Sequence, residues 1–540
     1  MSDPFNAAHY LVDRHVEAGD GDRTAVVSGA LRVSYTELRD LSVAFAAGLA
    51  AVDVRRGERV LFLCSDRPEL LAGMLGTWRH GAVAVPLSTM LTGPELAKVV
   101  VDSGARMLVV TPEFAPAASV AVLAAPELAH LVAVEGAALE PTASARATSW
   151  DDLLAAGSWQ AGEVTATAPT GDDTPALWLY TSGTTGTPKG AMHRHANIRA
   201  VCETYARDVL HLTRDDVCFS IAKLFFAYGL GNAALFPLAA GATTILEPRR
   251  PSPDVVVETM RDHAPTLFFA GPTFFAALLA AELPEDTFRS VRLGASAGEA
   301  QPATLYRRFS ERFGVEILDG IGSTEALHIF LSNTEGNVRP GTSGTPVPGY
   351  DVELRDDDGM PVPDDAPGAL YVRGASLASG YWCRTEATRE VFQGAWLRTG
   401  DTYTRSPDGY YTCLGRSSDL LKAGGIWVSP AEVEDRLLQH PAVAEAVVVG
   451  VPDSNELDKP VACVVLSKGV QVSPEELVAW CREGLAAFKR PRVVLVVDEL
   501  PKTATGKIQR FRLRGIAQTQ VYPAPGGARS TEAPAMPASV

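Results

Sequence analysis

The sequence has little that suits attachment to nucleic acid or to a membrane. It carries 48 Lys and Arg against 64 Asp and Glu, which gives a formal net charge of −16. Broad binding to nucleic acid or to anionic lipid needs a basic surface, so we expect neither partner. The most apolar stretch, residues 265–280, is interrupted by Gly271 and Pro272. That stretch is too short for a bilayer about 30 Å thick, and we expect no transmembrane segment.

Cysteine is scarce as well. The seven Cys residues are scattered and form no Cys-x-x-Cys pair, which argues against a disulfide framework, a zinc site or a dithiol redox site. The first residues, MSDPFNAAHY, lack a basic region followed by an apolar core, so we expect no secretory signal. Reduced thiols without an export signal predict a cytoplasmic protein.

The chain does contain ample apolar sequence arranged in an α/β pattern. Its 540 residues exceed what one hydrophobic core supports, so at least two domains are expected. Short apolar runs at 59–64, 82–87 and 107–111 predict buried strands, and a helical pattern follows the capping box of Ser34 and Glu37. Strands that alternate with helices predict an α/β fold with mostly parallel, helix-covered sheets.

The predicted domain plan has four parts. Residues 1–414 form a large N-terminal α/β domain, in which 341–414 are a small β subdomain rich in Gly, Pro and Asp turns. Residues 415–419 are a hinge, and 420–516 form a small mobile α+β C-terminal lid domain. Residues 517–540 are rich in Pro, Ala and Ser, and we expect a disordered tail there.

The sharpest local motif is the phosphate loop, Thr181–Gly190, with the sequence TSGTTGTPKG. Hydroxyls, glycine backbone N–H groups and one lysine are the groups that surround phosphate oxygens. The spacing is not that of a Walker P-loop. The motif therefore predicts a different kind of nucleotide phosphate clamp.

The sequence YTSGTTGTPKG resembles the signature of the adenylate-forming superfamily of acyl-CoA synthetases, luciferases and adenylation domains. Further motifs match in the family's order: SAGEA (296–300), DGIGSTE (319–325), LRTGD (397–401), GRSSDLLKAGGIWVSPAEVE (415–434) and PKTATGKIQR (501–510). The resemblance covers roughly residues 10–515. Two segments, LFFAYGLGNAALFPL (224–238) and DGIGSTEALHIFLSN (319–333), look like benzoate-CoA ligases specifically.

The resemblance implies an ATP site with Mg²⁺. Glu325 is the implied metal ligand and is catalytic together with Thr181, and Asp401 is the implied acceptor for the ribose hydroxyls. Small residues around Gly298 and Gly320 would leave room for adenine. The full implied ATP-binding set is Thr181, Ser182, Gly183, Thr184, Thr185, Gly186, Lys189, Gly298, Glu299, Ala300, Asp319, Gly320, Ile321, Gly322, Ser323, Thr324, Asp401 and Arg416.

The C-terminal motifs imply a catalytic lysine on a moving domain. In the family, the residue matching Lys507 bridges the substrate carboxylate and the α-phosphate, and the domain then rotates for thiol attack. The hinge falls on Ser418 or Asp419, because Ser418 stands where the family usually has Asp or Lys. The implied CoA-binding residues are Gly424, Gly425, Ile426 and Trp427.

A third set of residues implies an acyl slot, and we use that name for the set throughout. Its aromatic and apolar side chains suit a flat ring better than a long chain. His328 has two open roles, as a partner of the substrate carboxylate or of a ring hydroxyl or amino group, while His193 and His195 are expected to be structural or supporting. The acyl slot comprises Phe226, Ala227, Tyr228, Gly229, Gly322, His328 and Ile329.

Three functions are compatible with these motifs. The first is ATP-dependent conversion of benzoate or a substituted benzoate to aryl-AMP and pyrophosphate, followed by transfer to CoA. The second is an adenylation enzyme that loads the aryl group onto the phosphopantetheine of a carrier protein. The third is a catalytically silent nucleotide-binding regulator, against which the presence of Lys507, Glu325 and Asp401 argues. A monomer or a homodimer is expected.

Overall fold

The computed structural model describes residues 4–161, 166–182, 188–416, 421–423, 426–428, 430–452, 458–485, 489–502 and 508–521. The chain divides into two compact units. Unit 1 comprises Met1–Gln301, Leu305–Glu353 and Tyr371–Thr399, and unit 2 comprises Pro302–Thr304, Leu354–Leu370 and Gly400–Val540. None of the described helices combines the length and apolar character needed to span a bilayer.

The helices follow the expected periodic segments, and the predicted capping box of Ser34 and Glu37 is confirmed at the start of the second one. Three further segments, His9–Asp13, Cys202–Val209 and Gly231–Leu235, are π-helical. The α-helices are α1 (Arg14–Glu17), α2 (Tyr35–Ala51), α3 (Pro68–His80), α4 (Gly93–Ser103), α5 (Ala115–Val122), α6 (Trp150–Ala161), α7 (His195–Val201), α8 (Ala227–Leu230), α9 (Phe236–Ala240), α10 (Pro253–His263), α11 (Pro272–Ala280), α12 (Ala303–Phe313), α13 (Thr385–Val391), α14 (Pro430–Leu438), α15 (Pro474–Gly484) and α16 (Arg510–Val521).

The strands confirm the predicted α/β pattern, since each apolar run named above forms one. They are β1 (Thr24–Ser28), β2 (Leu31–Ser34), β3 (Arg59–Leu63), β4 (Val83–Pro86), β5 (Met107–Val110), β6 (His130–Ala133), β7 (Arg146–Ser149), β8 (Pro175–Ser182), β9 (Pro188–Arg194), β10 (Val217–Ser220), β11 (Thr243–Ile245), β12 (Leu267–Ala270), β13 (Leu293–Ser296), β14 (Ile317–Gly322), β15 (Ile329–Ser332), β16 (Thr345–Pro346), β17 (Tyr350–Arg355), β18 (Gly368–Gly374), β19 (Phe392–Gln393), β20 (Trp396–Arg405), β21 (Tyr411–Arg416), β22 (Leu421–Ala423), β23 (Ile426–Val428), β24 (Val443–Pro452), β25 (Asp458–Leu466) and β26 (Val493–Val496).

Unit 1 contains two large sheets. One has the strand order β7-β6-β5-β3-β4-β8-β9 and is parallel except for the β8–β9 hairpin. The other has the order β16-β15-β14-β13-β12-β10-β11-β1-β2, and its central strands from β14 to β1 are parallel. Parallel strands that are buried on both faces require continuous apolar runs, as the fully buried Leu267–Ala270 illustrates. These sheets hold the candidate site.

The smaller sheets explain a difference from the expected domain plan. Residues 401–405 of β20 pair with 411–416 of β21 as an antiparallel hairpin. The paired residues of this hairpin all lie in unit 2, whose last segment begins at Gly400, inside β20, whereas the expected domain boundary was at residue 415. Unit 2 also contains the three-stranded sheet β24-β25-β26, with apolar clusters on both faces.

The first five residues of the expected tail, 517–521, are helical. Helix α16 continues to Val521, and Ala517, the first residue of the expected tail, is completely buried against the β24–β25 sheet together with Leu513. The prediction was wrong for residues 517–521, because the Pro-rich sequence begins only after this Ala-containing end of the helix. The remainder of the predicted tail, 522–540, lies outside the described residues.

The aromatic core beside β12 should dominate the stability of unit 1. Leu278 in α11 is 0% exposed and packs in the cluster that contains Phe268, Phe275 and Phe309. We expect Leu278→Ala to lower the free energy of unfolding by about 2–5 kcal/mol, because it leaves a cavity. Leu123→Ala is the matched control, since Leu123 is 80% exposed, and should change it by less than about 0.5 kcal/mol. Equal shifts of the two urea midpoints would contradict this assignment.

Candidate active site

The phosphate loop begins on the β8–β9 hairpin. Thr181 pairs with Lys189, and Ser182 with Pro188, as antiparallel neighbours. Both Thr181 and Lys189 are partly exposed. The predicted members Gly183, Thr184, Thr185 and Gly186 lie outside the described residues, as does the side chain of Ser182. The hairpin therefore places a hydroxyl and an ammonium on adjacent strands at the start of the loop.

The second part of the site is the turn that follows β14, Ser323–Leu327, which we name the Glu325 turn. Its bend is stabilised locally, because the Ala326 N–H donates to Ser323 Oγ at 3.1 Å and Leu327 adopts a φ of 65°. His193, on β9, donates from Nε2 to the Thr324 carbonyl at 2.8 Å. This bond links the phosphate hairpin directly to the turn that carries Glu325.

The third part is a segment not foreseen in the sequence, residues 376–382, which we name the strap. It lies along β9: the Ser379 N–H donates to the Met192 carbonyl at 2.8 Å and the Trp382 N–H to the Gly190 carbonyl at 2.9 Å. The Ala378 N–H donates to the Glu325 carbonyl at 2.8 Å. The strap thus holds both the hairpin and the Glu325 turn.

Tyr381 of the strap reaches the predicted functional groups themselves. Its hydroxyl donates to Oε1 of Glu325 at 2.7 Å, and the Lys189 ammonium lies 5.5 Å from its ring centroid. Sequence reasoning missed Tyr381, because a hydroxyl partner 56 positions away leaves no local pattern. The only signal was an aromatic pair after Gly380, in GYW, which equally well describes a packing residue.

The expected adenine wall lies at the ends of β13 and β14. Ser296 is the register partner of Asp319, and the Thr273 hydroxyl donates to Glu299 at 2.9 Å. Burial raises the pKa of the Asp319 carboxyl well above its ordinary value. Gly298 has a φ of 98° and lies beside Ala300 and Gln301. Among the described residues, both amide atoms of the buried Gln301 lack a hydrogen-bond partner, so this wall retains unused polar groups.

The small residues of β14 have a reason that the sequence did not reveal. A Cβ on Gly320 would lie 2.7 Å from the Leu331 carbonyl, and one on Gly322 would lie 2.4 Å from the His328 carbonyl. Both glycines let β15 approach β14, with Ile321 between them. Room for a base was the expected reason, but close packing of two antiparallel strands already requires glycine at both positions.

The acyl slot is built around His328. Its ring lies 5.2 Å from the ring of Tyr205, 5.5 Å from that of Tyr228 and 4.5 Å from that of Phe236. Nε2 of His328 donates to the Tyr228 carbonyl at 3.3 Å. Tyr228 itself donates to the Ala295 carbonyl at 2.9 Å. Both polar side chains of the slot are thus oriented by backbone carbonyls.

The remaining slot residues fix the backbone around that ring. Phe226 precedes α8, which begins at Ala227. A Cβ on Gly229 would meet the Lys223 carbonyl at 2.1 Å, so this helix turn requires glycine there. Ile329 is buried in β15. The predicted slot residues are therefore neighbours in one region of unit 1.

Burial keeps His193, His195 and His328 uncharged, so each can donate or accept a hydrogen bond but carries no positive charge. Burial lowers the pKa of His193 and His195 to about 4 and that of His328 to about 3. His328 is 2% exposed, and its Nδ1 has no partner among the described residues. With the proton on Nε2, Nδ1 is an acceptor. It can accept from a hydroxyl or amino group but has no proton to offer a carboxylate.

Glu325 is the candidate ligand for a divalent metal. No cluster of three or more His, Cys, Asp or Glu side chains suited to a metal ion occurs in the described part of the chain. Glu325 has one carboxylate oxygen on Tyr381 and is partly exposed. A single carboxylate fits Mg²⁺, which commonly takes one or two protein carboxylates together with phosphate oxygens and water.

Other predicted residues lie in unit 2. Asp401 is buried in β20, where Arg416 is its register partner in β21. Ile426 and Trp427 form β23, which pairs with β22 as a hairpin. Lys507 lies outside the described residues, as do Gly424, Gly425, Ser418 and Asp419. Their expected roles are taken up as proposals below.

Comparison with known proteins identifies the family. The model of the AMP-binding enzyme family matches residues 12–382, and that of the AMP-binding enzyme C-terminal domain matches 432–507. The chain belongs to the AMP-binding enzyme family. These two matches confirm the resemblance seen in the ordered motifs.

Three known members of the AMP-binding enzyme family are similar along nearly the whole chain. A benzoate-CoA ligase of Thauera aromatica is 43% identical over 94% of this chain and 96% of its own. A crystal structure of a benzoate CoA ligase from Burkholderia xenovorans has a TM-score of 0.86 at 42% identity, covering 94% and 100%. The crystal structure of an anthranilate CoA ligase in complex with anthranoyl-AMP has a TM-score of 0.88 at 38% identity, covering 95% of this chain and 97% of its own.

The buried neutral histidines predict a pH dependence of stability. His195 accepts from the Ala7 N–H and cannot take up a proton in the fold until about pH 4, whereas the unfolded chain does so near 6.5. Stability should therefore fall as pH is lowered from 6.5 towards 4. His195→Gln should reduce this slope by up to about 1.4 kcal/mol per pH unit.

Urea midpoints at several pH values between 4.5 and 7 (roughly the window between the two pKa values) measure this slope. His193 and His328 remain in the variant, so part of the slope should persist. An identical slope in wild type and His195→Gln would contradict the buried, neutral state of His195.

Proposed function

We propose that this protein activates an aromatic carboxylic acid with ATP and transfers the acyl group to CoA. The family and the relatives described above make it an AMP-forming acid–CoA ligase. The narrower substrate, benzoate or a substituted benzoate, is our proposal. The observation that carries it is the acyl slot, in which His328 lies three residues from Glu325 and is enclosed by three aromatic rings.

The chemistry requires charge to be managed at the α-phosphate. The substrate carboxylate attacks this phosphorus, pyrophosphate leaves, and the acid becomes an aryl-AMP with a good leaving group. Thr181 and Lys189 would bind phosphate oxygens from the β8–β9 hairpin, and Glu325 would hold Mg²⁺. When bound, Mg²⁺ offsets the negative charge of the phosphates. Asp401 would accept from the ribose hydroxyls.

The acyl slot would bind the ring and not the charge of the acid. A neutral His328 without a free proton cannot pair with the carboxylate, and its Nδ1 acceptor favours a ring hydroxyl or amino group. Of the two roles left open for His328, we therefore favour the partner of a ring hydroxyl or amino group over the partner of the carboxylate. The carboxylate needs a cation elsewhere, and Lys507 is our candidate, by its position in the PKTATGK motif.

The thioester step rests on the same motif logic. Gly424, Gly425, Ile426 and Trp427 are proposed to contact CoA, and Ser418 or Asp419 to be the hinge. We further propose a cytoplasmic enzyme that is a monomer or homodimer and takes its aromatic acid, ATP and CoA from solution. Carrier-protein loading remains an outcome of the experiment below.

The functional experiment measures pyrophosphate release for benzoate, hydroxybenzoates, aminobenzoates and short fatty acids, each with and without CoA. We expect release with the aromatic acids, and aryl-CoA formation when CoA is present. Release without thioester formation on CoA would support carrier-protein loading. No release with any acid would contradict the proposal and favour a silent nucleotide-binding regulator.

Lys507→Ala tests the proposed catalytic lysine. We expect it to abolish aryl-AMP formation and to spare most thioester formation from supplied aryl-AMP, because the lysine would act on the carboxylate and α-phosphate only. An ionic contact at about 4 Å is worth on the order of 4 kcal/mol at an effective dielectric near 20, so the first step should fall by about 1,000-fold.

Lys502→Ala is the matched control, since Lys502 lies five residues away and forms an ion pair with Glu445 at 2.6 Å. It should leave both half-reactions within about twofold of wild type, because a partly exposed surface ion pair contributes little. Equal losses in both half-reactions for Lys507→Ala would refute its assigned role.

A further inference from the structure

We propose that Tyr381 is a positioning residue for the metal: its hydroxyl fixes the Glu325 carboxylate so that the second oxygen faces the divalent cation of bound ATP. The inference rests on the proposed function, because it takes Glu325 as the cation's protein ligand. It adds a residue that the motifs did not mark, on a segment outside the phosphate loop and the Glu325 turn.

Tyr381 is held rigidly enough to position another group. Its side chain is 7% exposed, and its ring meets that of Phe392 edge to face at 5.5 Å and 72°. Its N–H donates to Thr388 Oγ1 at 3.0 Å. Because the ring and the backbone are both fixed, the position of the hydroxyl oxygen is fixed as well, and its proton is donated to Oε1 of Glu325 at 2.7 Å.

The same strap fixes the backbone from which the carboxylate extends. The Ala378 N–H donates to the Glu325 carbonyl at 2.8 Å, while Tyr381, three residues on, holds the side chain. A carboxylate offers about four lone-pair directions over two oxygens. The hydroxyl uses one of them on Oε1, and Oε2 remains for a metal. Groups that orient a metal-binding carboxylate in this way raise metal affinity.

Tyr381 also keeps the nearby cation from neutralising the acid. The Lys189 ammonium lies over the ring of Tyr381, at 5.5 Å from its centroid. Within the described residues, neither Lys189 nor Glu325 forms an ion pair. An ammonium is attracted to the face of a tyrosine ring. Lysine and carboxylate are therefore both held by one tyrosine, and each remains available to a ligand of opposite charge.

The test separates metal binding from catalysis. The dissociation constant of α,β-methylene-ATP, which cannot react at the α-phosphate, is measured by calorimetry in EDTA and at saturating Mg²⁺. The ratio of the constant in EDTA to the constant in Mg²⁺ reports the metal's contribution to binding. In Tyr381→Phe we expect this ratio to fall by about tenfold, as is typical when a group that orients a metal ligand is removed. Affinity in EDTA should stay within about twofold of wild type.

Tyr350→Phe is the matched control. Tyr350 is equally buried, and its hydroxyl forms a 2.6 Å hydrogen bond with Ser376 of the same strap, without touching Glu325. It loses the same kind of buried bond, so it should keep the wild-type ratio. If both variants lose the ratio equally, the effect is a general loosening of the strap and the proposal is wrong.

A double-variant cycle covers the case in which Tyr381→Phe is poorly folded. If Tyr381 acts only through Glu325, Glu325→Gln should lose the ratio, and adding Tyr381→Phe to Glu325→Gln should lower it no further. Additive losses, or a wild-type ratio in Tyr381→Phe, would overturn the inference. A wild-type protein that shows no Mg²⁺ effect on nucleotide binding, or no pyrophosphate release with any acid, would instead reject the proposed function.

Discussion

The candidate site depends on the two hydrogen-bonded edges of strand β9. On one edge β9 pairs with β8 and so fixes Thr181 against Lys189. On the other, the strap pairs with Gly190 and Met192. His193, within the same strand, donates to the Thr324 carbonyl. Two segments distant in sequence, the strap and the Glu325 turn, are thus hydrogen-bonded to one strand, and these bonds place Glu325 and Tyr381.

Electrostatics give this arrangement its chemical meaning. A chain with a net charge of −16 can bind a polyphosphate only where cationic side chains are concentrated and nearby carboxylates do not repel the phosphates. Burial keeps the histidines next to the site neutral, so they act as hydrogen-bonding supports and not as charges. Tyr381 lies beside both groups: its ring faces the Lys189 ammonium, and its hydroxyl donates to the Glu325 carboxylate. A divalent metal held by Glu325 would add the positive charge that bound phosphates need.

Local patterns predicted much of this, because local physics determines it. The alternation of apolar runs and helices predicts the parallel sheets, and the Ser34 capping box marks the start of α2. The residue types of the phosphate loop predict a phosphate-binding role, and the metal-binding role of Glu325 is implied by the family resemblance. The comparisons confirm the family that those motifs indicated.

Long-range contacts are what the sequence could not reveal. The partner of the Tyr381 hydroxyl is 56 residues away, and the Nε2 proton of His328 is committed to a carbonyl 100 residues away. Gly320 and Gly322 are required by a neighbouring strand and not only by a ligand. Helix α16 extends past the expected domain end because Ala517 finds a buried position against the sheet. Each of these requires the folded neighbour to be known.

In the proposed reaction, the carboxylate of an aromatic acid attacks the α-phosphate of ATP at this site. The most direct measurement is the fate of oxygen in a single turnover with benzoate labelled with ¹⁸O in both carboxylate positions. If the carboxylate attacks phosphorus, one labelled oxygen should appear in AMP and the other in the carbonyl of benzoyl-CoA. Unlabelled AMP, or label recovered in orthophosphate or pyrophosphate, would contradict it.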